Sequence, residues 1–92
     1  MTSEAKNQPL AIAIDDDASL RVRMRFELSA AGFQVVEAST GEEGIRLLDN
    51  VIPDLILLDV QLPGLDGFET CRAIRAHPRG RNVPVLMMTA SD

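Results

Sequence analysis

Asp15, Asp16 and Asp17 stand together directly after a short apolar run, and Asp59 and Thr89 each stand directly after another. Carboxylates are nucleophiles and hard oxygen ligands. Three or four of them converging on one place repel each other strongly unless a cation sits among them. Oxygen ligands with several positions left to water suit Mg2+. The chemistry on offer is an acidic metal pocket with one carboxylate placed to react. It requires elements that deliver all these residues to one edge.

The pattern of the chain supplies such elements. Leu10 to Ile14 is a compact apolar run and reads as a first strand. Leu20, Met24 and Leu28 recur at a spacing of four among Arg21, Arg23, Arg25 and Glu27, which predicts a helix with one buried stripe, capped by Gly32. Phe33 to Val36 reads as a second strand, and Ser39-Thr40-Gly41-Glu42 as a capping box that opens a second helix with Ile45 and Leu48 inward. Asp54 to Asp59 is the most continuous apolar run, the signature of a central parallel strand buried on both faces. Pro63, Gly64, Asp66 and Gly67 make a loop, Phe68, Cys71 and Ile74 a third helical stripe, and Val83 to Met88 a fourth strand. Strand and helix alternate throughout. The expected fold class is therefore α/β, a doubly wound parallel sheet with right-handed crossovers.

In such sheets ligands bind at the carboxyl ends of the strands, near the point where strand order reverses. There the first strand delivers Asp15 to Asp17, the third Asp59 and the fourth Thr89, whereas the second delivers Glu37 and Ala38, with nothing distinctive. Each feature also has an ordinary reading. The three aspartates serve equally as a polar strand end plus an N-cap, Thr89 as a β-former, and Gly64 and Gly67 as turn residues. It is their coincidence at the strand ends that points to a site. No glycine-rich phosphate loop follows the first strand, which argues against a nucleotide fold. His77, the only histidine, sits near the end of the third helix and reads as a helix-terminal or surface residue, and Cys71 as a small hydrophobe in the core.

Composition sets the limits. The chain has 92 residues, 46% hydrophobic and 25% charged, the balance of one ordinary globular domain. Residues 1–9 read as a polar tail and 10–92 as the domain. Nine basic against 14 acidic residues give a formal charge of −5, and there is no Trp or Tyr, so direct nucleic-acid binding is not expected. No apolar run approaches the roughly 20 residues of a membrane span, and the N-terminus lacks a signal-peptide core, so a cytoplasmic location is expected. A single cysteine excludes an intrachain disulfide.

The residues from Leu10 to the last position resemble the receiver domain of two-component response regulators, a flavodoxin-like fold. Ile14-Asp15-Asp16-Asp17 is similar to the family's acidic pair. Leu57 to Gly67 is similar to its phosphoacceptor segment and following loop, and Val85 to Ala90 to its fourth strand with a switch threonine. The resemblance implies that Asp59 accepts a phosphoryl group from the phosphohistidine of a sensor histidine kinase or phosphotransfer protein. It implies that Asp16 and Asp59 ligate Mg2+ directly, that Asp15 helps, often through water, and that the Gln61 carbonyl supplies a further ligand. Thr89 would contact the phosphoryl oxygen and move its strand end inward.

The family also has a further helix, strand and helix, with a phosphoryl-contacting lysine after the last strand. The sequence stops after the fourth strand, about 30 residues short at average element lengths, and its one lysine, Lys6, lies in the tail. The expectation is a receiver fragment, or a chain that forms a homodimer through an open sheet edge or by exchanging elements. Two other readings remain at this point: an inactive receiver-type interaction module, and a Mg2+-dependent phosphohydrolase with Asp59 as nucleophile. The phosphohydrolase would need an acid-base group close by, where Gln61 stands.

Overall fold

The computed structural model describes residues 8–88. Among them strand and helix alternate: β1 Leu10–Ile14, α1 Ala18–Ala30, β2 Gln34–Ala38, α2 Gly41–Leu47, β3 Leu55–Asp59, α3 Gly67–Ala76 and β4 Val85–Met88. The strands are parallel and form one sheet in the order β2-β1-β3-β4. The chain steps from β1 outward to β2, then crosses β1 to reach β3. Strand order therefore reverses between β1 and β3, and a crevice opens there at their carboxyl ends.

Alternation along the strands builds two cores. On one face Ile12, Ile14, Ile56 and Leu58 pack with Leu48 at the end of α2 and Ile74 of α3. All four strand residues are fully buried, each contributing about 1.5–3 kcal/mol relative to exposure. On the other face Ala11 and Ala13 pack with Met24 and Leu28 of α1, flanked by Phe33, Val35, Leu55, Leu57 and Met88. This two-faced burial is why β1 and β3 read as continuous apolar runs. On this same face Leu86 of β4, which pairs with Leu57, is 56% exposed.

Several boundaries differ from the sequence reading for identifiable reasons. Gly32 has φ +98°, and around it the Phe33 amide donates to the Leu28 carbonyl and the Gly32 amide to that of Ser29, both at 3.0 Å. This pair of bonds satisfies the end of α1. Phe33 thus belongs to the helix cap, and β2 begins at Gln34 and runs on through Glu37 to Ala38. Asp54 lies outside β3; its carboxylate accepts from the Leu10 amide at 2.9 Å and so ties the starts of β1 and β3 together. Pro84, with no N–H to give, leaves β4 to start at Val85.

The capping box of α2 is shifted by one residue. Thr40, not Ser39, is the N-cap, its hydroxyl accepting from the Glu43 amide at 3.0 Å. Glu43, not Glu42, reaches back, accepting from both the amide and the hydroxyl of Ser39. In α3 the inward face is Gly67, Thr70, Cys71 and Ile74, the i, i+3, i+4, i+7 set. Phe68 falls one position off that set and is 60% exposed, so the expected Phe68 stripe is incorrect.

Candidate functional site

The register places the acidic residues. Ile14 pairs with Leu58, so Asp15 and Asp59 stand side by side as the next residues of adjacent strands. Both are buried, at 2% and 4% exposure, while Asp16 is exposed. One carboxylate oxygen from each of Asp15, Asp16 and Asp59 can be chosen so that all three lie within 4.8 Å of one another.

The three consecutive aspartates divide their labour. Asp17 is the N-cap of α1: its Oδ1 accepts from the amides of Ser19 at 2.8 Å and Leu20 at 3.2 Å. Asp15 Oδ1 accepts from the Asp17 amide at 2.9 Å, a side-chain turn that holds the loop. Asp16 is left facing solvent beside Asp15 and Asp59. Strand end, cap and cluster thus coexist, each carried by a different residue.

Asp59 Oδ1 accepts from the Gln61 amide at 3.1 Å. Gln61 itself is exposed, two residues beyond the strand. Behind Asp59, the amide of Gly67 donates to the Val60 carbonyl at 3.0 Å. A Cβ on Gly67 would stand 2.5 Å from the Asp59 carbonyl and 2.6 Å from Val60 Cα. Gly67 is therefore the residue that lets the start of α3 press against the end of β3. Its place in the sequence predicts only a turn glycine. Asp66 then caps α3 through a reciprocal capping box with Glu69.

Burial raises the Asp15 pKa from its ordinary value. The Asp17 amide opposes this by holding the charged form, and the charges of Asp59, Asp16 and Asp17 reinforce it. A charge that is both desolvated and crowded is held at a cost, which a cation placed among the carboxylates would offset.

Thr89 lies outside the described residues. Its neighbour Met88 pairs with Asp59 across β3 and β4, and the Met88 carbonyl accepts from the Val60 amide at 2.9 Å. A cleft of about 230 Å³ adjoins the carboxylates on the α1 face, lined by Leu20, Arg23, Met24 and Met88 as well as Asp15 and Asp59. His77 stands away from this edge, at the C-cap of α3, where Nε2 meets Asp49 Oδ1 at 3.0 Å.

A cluster of three residues at the edge has no clear signal in the sequence pattern. Glu37, at the end of β2, accepts from Arg21 Nε at 3.3 Å and from Arg25 Nη1 at 2.9 Å. The faint one is an acid at a strand end facing basic residues four apart on the preceding helix, a pairing that only the parallel register makes visible.

The family model for the response regulator receiver domain matches residues 11–92. The chain belongs to the response regulator receiver family. It is a signalling domain of two-component systems, and its described residues form four parallel strands and three helices of the receiver fold. The receiver is 44% identical over 84 residues to the transcriptional regulatory protein AfsQ1 of Streptomyces coelicolor, covering 91% of this chain and 36% of that protein. It is 40% identical over 81 residues to the alkaline phosphatase synthesis transcriptional regulatory protein PhoP of Bacillus subtilis, covering 88% of this chain and 33% of that one. The chain thus spans about a third of the length of these curated relatives.

Among solved structures, the receiver superposes on the Vibrio cholerae chemotaxis protein CheY4 with a TM-score of 0.86 and 30% identity, covering 92% of this chain and 71% of CheY4. It also superposes on the receiver domain of a Pseudomonas aeruginosa sensor histidine kinase, with a TM-score of 0.85 and 30% identity over 91% of this chain and 69% of that one. That neighbour holds a magnesium ion in its active-site cleft. Among the described residues of the present receiver, no helix is long and apolar enough to cross a membrane.

Proposed function

We propose that this receiver is a phosphorylation switch in which Asp59 accepts a phosphoryl group from the phosphohistidine of a sensor histidine kinase or phosphotransfer protein. An Asp59 oxygen forms the bond to phosphorus as the nitrogen–phosphorus bond breaks, and the electron pair leaves with the imidazole. The product is an aspartyl phosphate. The observation that carries this reading is the buried Asp59 carboxylate beside Asp15 and Asp16, one oxygen of each within 4.8 Å of the others.

That spacing fits Mg2+. Bonds of about 2.1 Å place ligand oxygens of one octahedral ion about 3–4 Å apart, a spacing of the same order as the 4.8 Å within which these three oxygens lie. Asp16 and Asp59 would hold the ion, with Asp15, often through water, and the Gln61 carbonyl completing the set. When bound, the ion supplies positive charge to the transferring phosphoryl oxygens. The chain's own residues do the rest. The Gln61 amide fixes one Asp59 oxygen and leaves the other to attack, and the Asp17 amide fixes Asp15. Thr89 would contact the phosphoryl oxygen and move the end of β4, which hydrogen-bonds beside Asp59, so that phosphorylation shifts the population of two states.

The test is to incubate the chain with Mg2+ and a small phosphoryl donor and to weigh it by intact mass spectrometry. One phosphoryl adduct on the wild type, absent in Asp59→Asn and in chelator, supports the switch. No wild-type adduct, or an unchanged one in Asp59→Asn, contradicts it.

One observation favours a second reading, a receiver-type interaction module that self-associates. Within the described sheet β4 is an edge strand, and Leu86 stands exposed on it, a surface that invites pairing with another chain. Sedimentation supports it if the mass doubles with concentration, and a monomer at high concentration contradicts it.

A further inference from the structure

Arg21 lies one turn into α1 and reaches back over the acidic loop. Its Nη1 donates to the main-chain carbonyl of Asp15 at 2.6 Å and its Nε to Glu37 Oε1 at 3.3 Å. The second oxygen of Glu37 is occupied by Arg25 at 2.9 Å. The Arg21 side chain is only 19% exposed. The Asp15 amide, for its part, donates to the Ala38 carbonyl at 3.1 Å. Asp15 is therefore gripped on both sides of its α-carbon, by β2 through its N–H and by α1 through its C=O.

The second grip bears on the site. The carbonyl of Asp15 and the amide of Asp16 belong to one rigid peptide plane. Fixing that carbonyl fixes the plane from which the Asp16 side chain departs. Asp16 has little else to hold it, being exposed. We propose that Arg21, aimed by Glu37, is a positioning residue for the metal site: its guanidinium sets the Asp15–Asp16 peptide plane and so where the Asp16 carboxylate stands relative to Asp15 and Asp59.

The role is geometric. The guanidinium directs one hydrogen bond to a main-chain carbonyl and another to Glu37, rather than to the carboxylates of the cluster. A lysine would keep the charge but could not bond both partners in one fixed fork. The inference rests on the reading of the acidic cluster as a Mg2+ site, and the test separates the two.

Mg2+ binding is titrated calorimetrically for the wild type, Arg21→Met, Arg21→Lys and Glu37→Gln in the 92-residue chain, and melting is followed in chelator. Partners that orient a metal ligand from behind typically change affinity 10–100-fold, so Arg21→Met is expected to bind Mg2+ about ten-fold more weakly. Arg21→Lys recovers part of that loss, and Glu37→Gln, which loosens the aim but keeps the donor, weakens binding less than Arg21→Met. Unchanged affinity in Arg21→Met, with melting in chelator lowered or not, overturns the positioning role. If Arg21→Met does not fold, Glu37→Gln decides by itself: unchanged affinity there overturns the proposal, and a weakened one supports it. A wild type that binds no Mg2+ overturns the metal reading and the inference with it.

Discussion

Asp15 and Asp59 leave adjacent parallel strands one residue past the Ile14–Leu58 register pair, so two buried carboxylates face each other where strand order reverses. A slip of one residue in either strand would turn one carboxylate to the opposite face of the sheet. The apolar runs that fix the register therefore also fix the site. Ile12, Ile14, Ile56 and Leu58, all fully buried, share one face of the sheet with Leu48 and Ile74, and a one-residue slip would carry a strand's pair to the opposite face.

The raised pKa of Asp15 sets a pH dependence. The folded chain binds that proton more tightly than the unfolded chain, so the associated stability is full below the unfolded pKa and is lost as pH rises through the folded one. In metal-free buffer, Asp15→Asn, which retains an acceptor oxygen for the Asp17 amide, should melt higher than the wild type at neutral pH. The gain should vanish at acid pH, below the carboxylate range. A lower melting temperature at neutral pH would show that Asp15 is not held at a cost.

Mg2+ should stabilise the folded wild type by linkage, by about 2.7 kcal/mol at a concentration a hundred times its dissociation constant, and so raise its melting temperature. The same addition should do markedly less for Asp15→Asn and Asp16→Asn. Thermal melts with and without the ion check this. Equal gains in all three proteins would place the ion elsewhere.

Asp17 and Asp16 should part company under mutation. Asp17→Ala removes the cap of α1 and should cost about 0.5–2 kcal/mol in denaturant unfolding, yet leave Mg2+ affinity near wild type. Asp16→Ala should do the reverse, with little loss of stability and a large loss of Mg2+ affinity. Matching profiles for the two variants would undo the division of labour among the aspartates.

Gly67→Ala forces a methyl group against the Asp59 carbonyl and Val60. Overpacking of this kind costs about 1–3 kcal/mol, measurable as a lower denaturant midpoint. Because the displaced backbone carries Asp59, phosphoryl uptake should fall further than stability alone explains. Full uptake in a folded Gly67→Ala chain would show that the approach of α3 does not position Asp59.

Much of this was legible in the sequence, and the misses have physical causes. Leu10 to Ile14 and the run ending at Asp59 were read to within one residue, because strands buried on both faces leave an unbroken apolar signature. The convergence of Asp15, Asp16 and Asp59 followed from the alternation of elements, since a doubly wound sheet sends every strand end to one edge. The cap of α2 slipped by one residue because Ser39-Glu42 and Thr40-Glu43 offer the same chemistry at the same spacing, and only backbone geometry chooses. Phe68 was assigned inward for its hydrophobicity, but the close approach of Gly67 turns the helix so that Thr70 takes the buried place. The Arg21–Glu37 contact spans 16 residues and depends on the register of β1 and β2, information that local pattern does not hold.

The most direct test of the central claim is to locate the phosphoryl group. After reaction with a small phosphoryl donor and Mg2+, borohydride reduces an aspartyl phosphate to homoserine, and peptide mass spectrometry finds the altered residue. Homoserine at position 59 alone, and only when Mg2+ is present, is the predicted result. Homoserine at another aspartate, or none at position 59 in a folded, Mg2+-saturated chain, would contradict it.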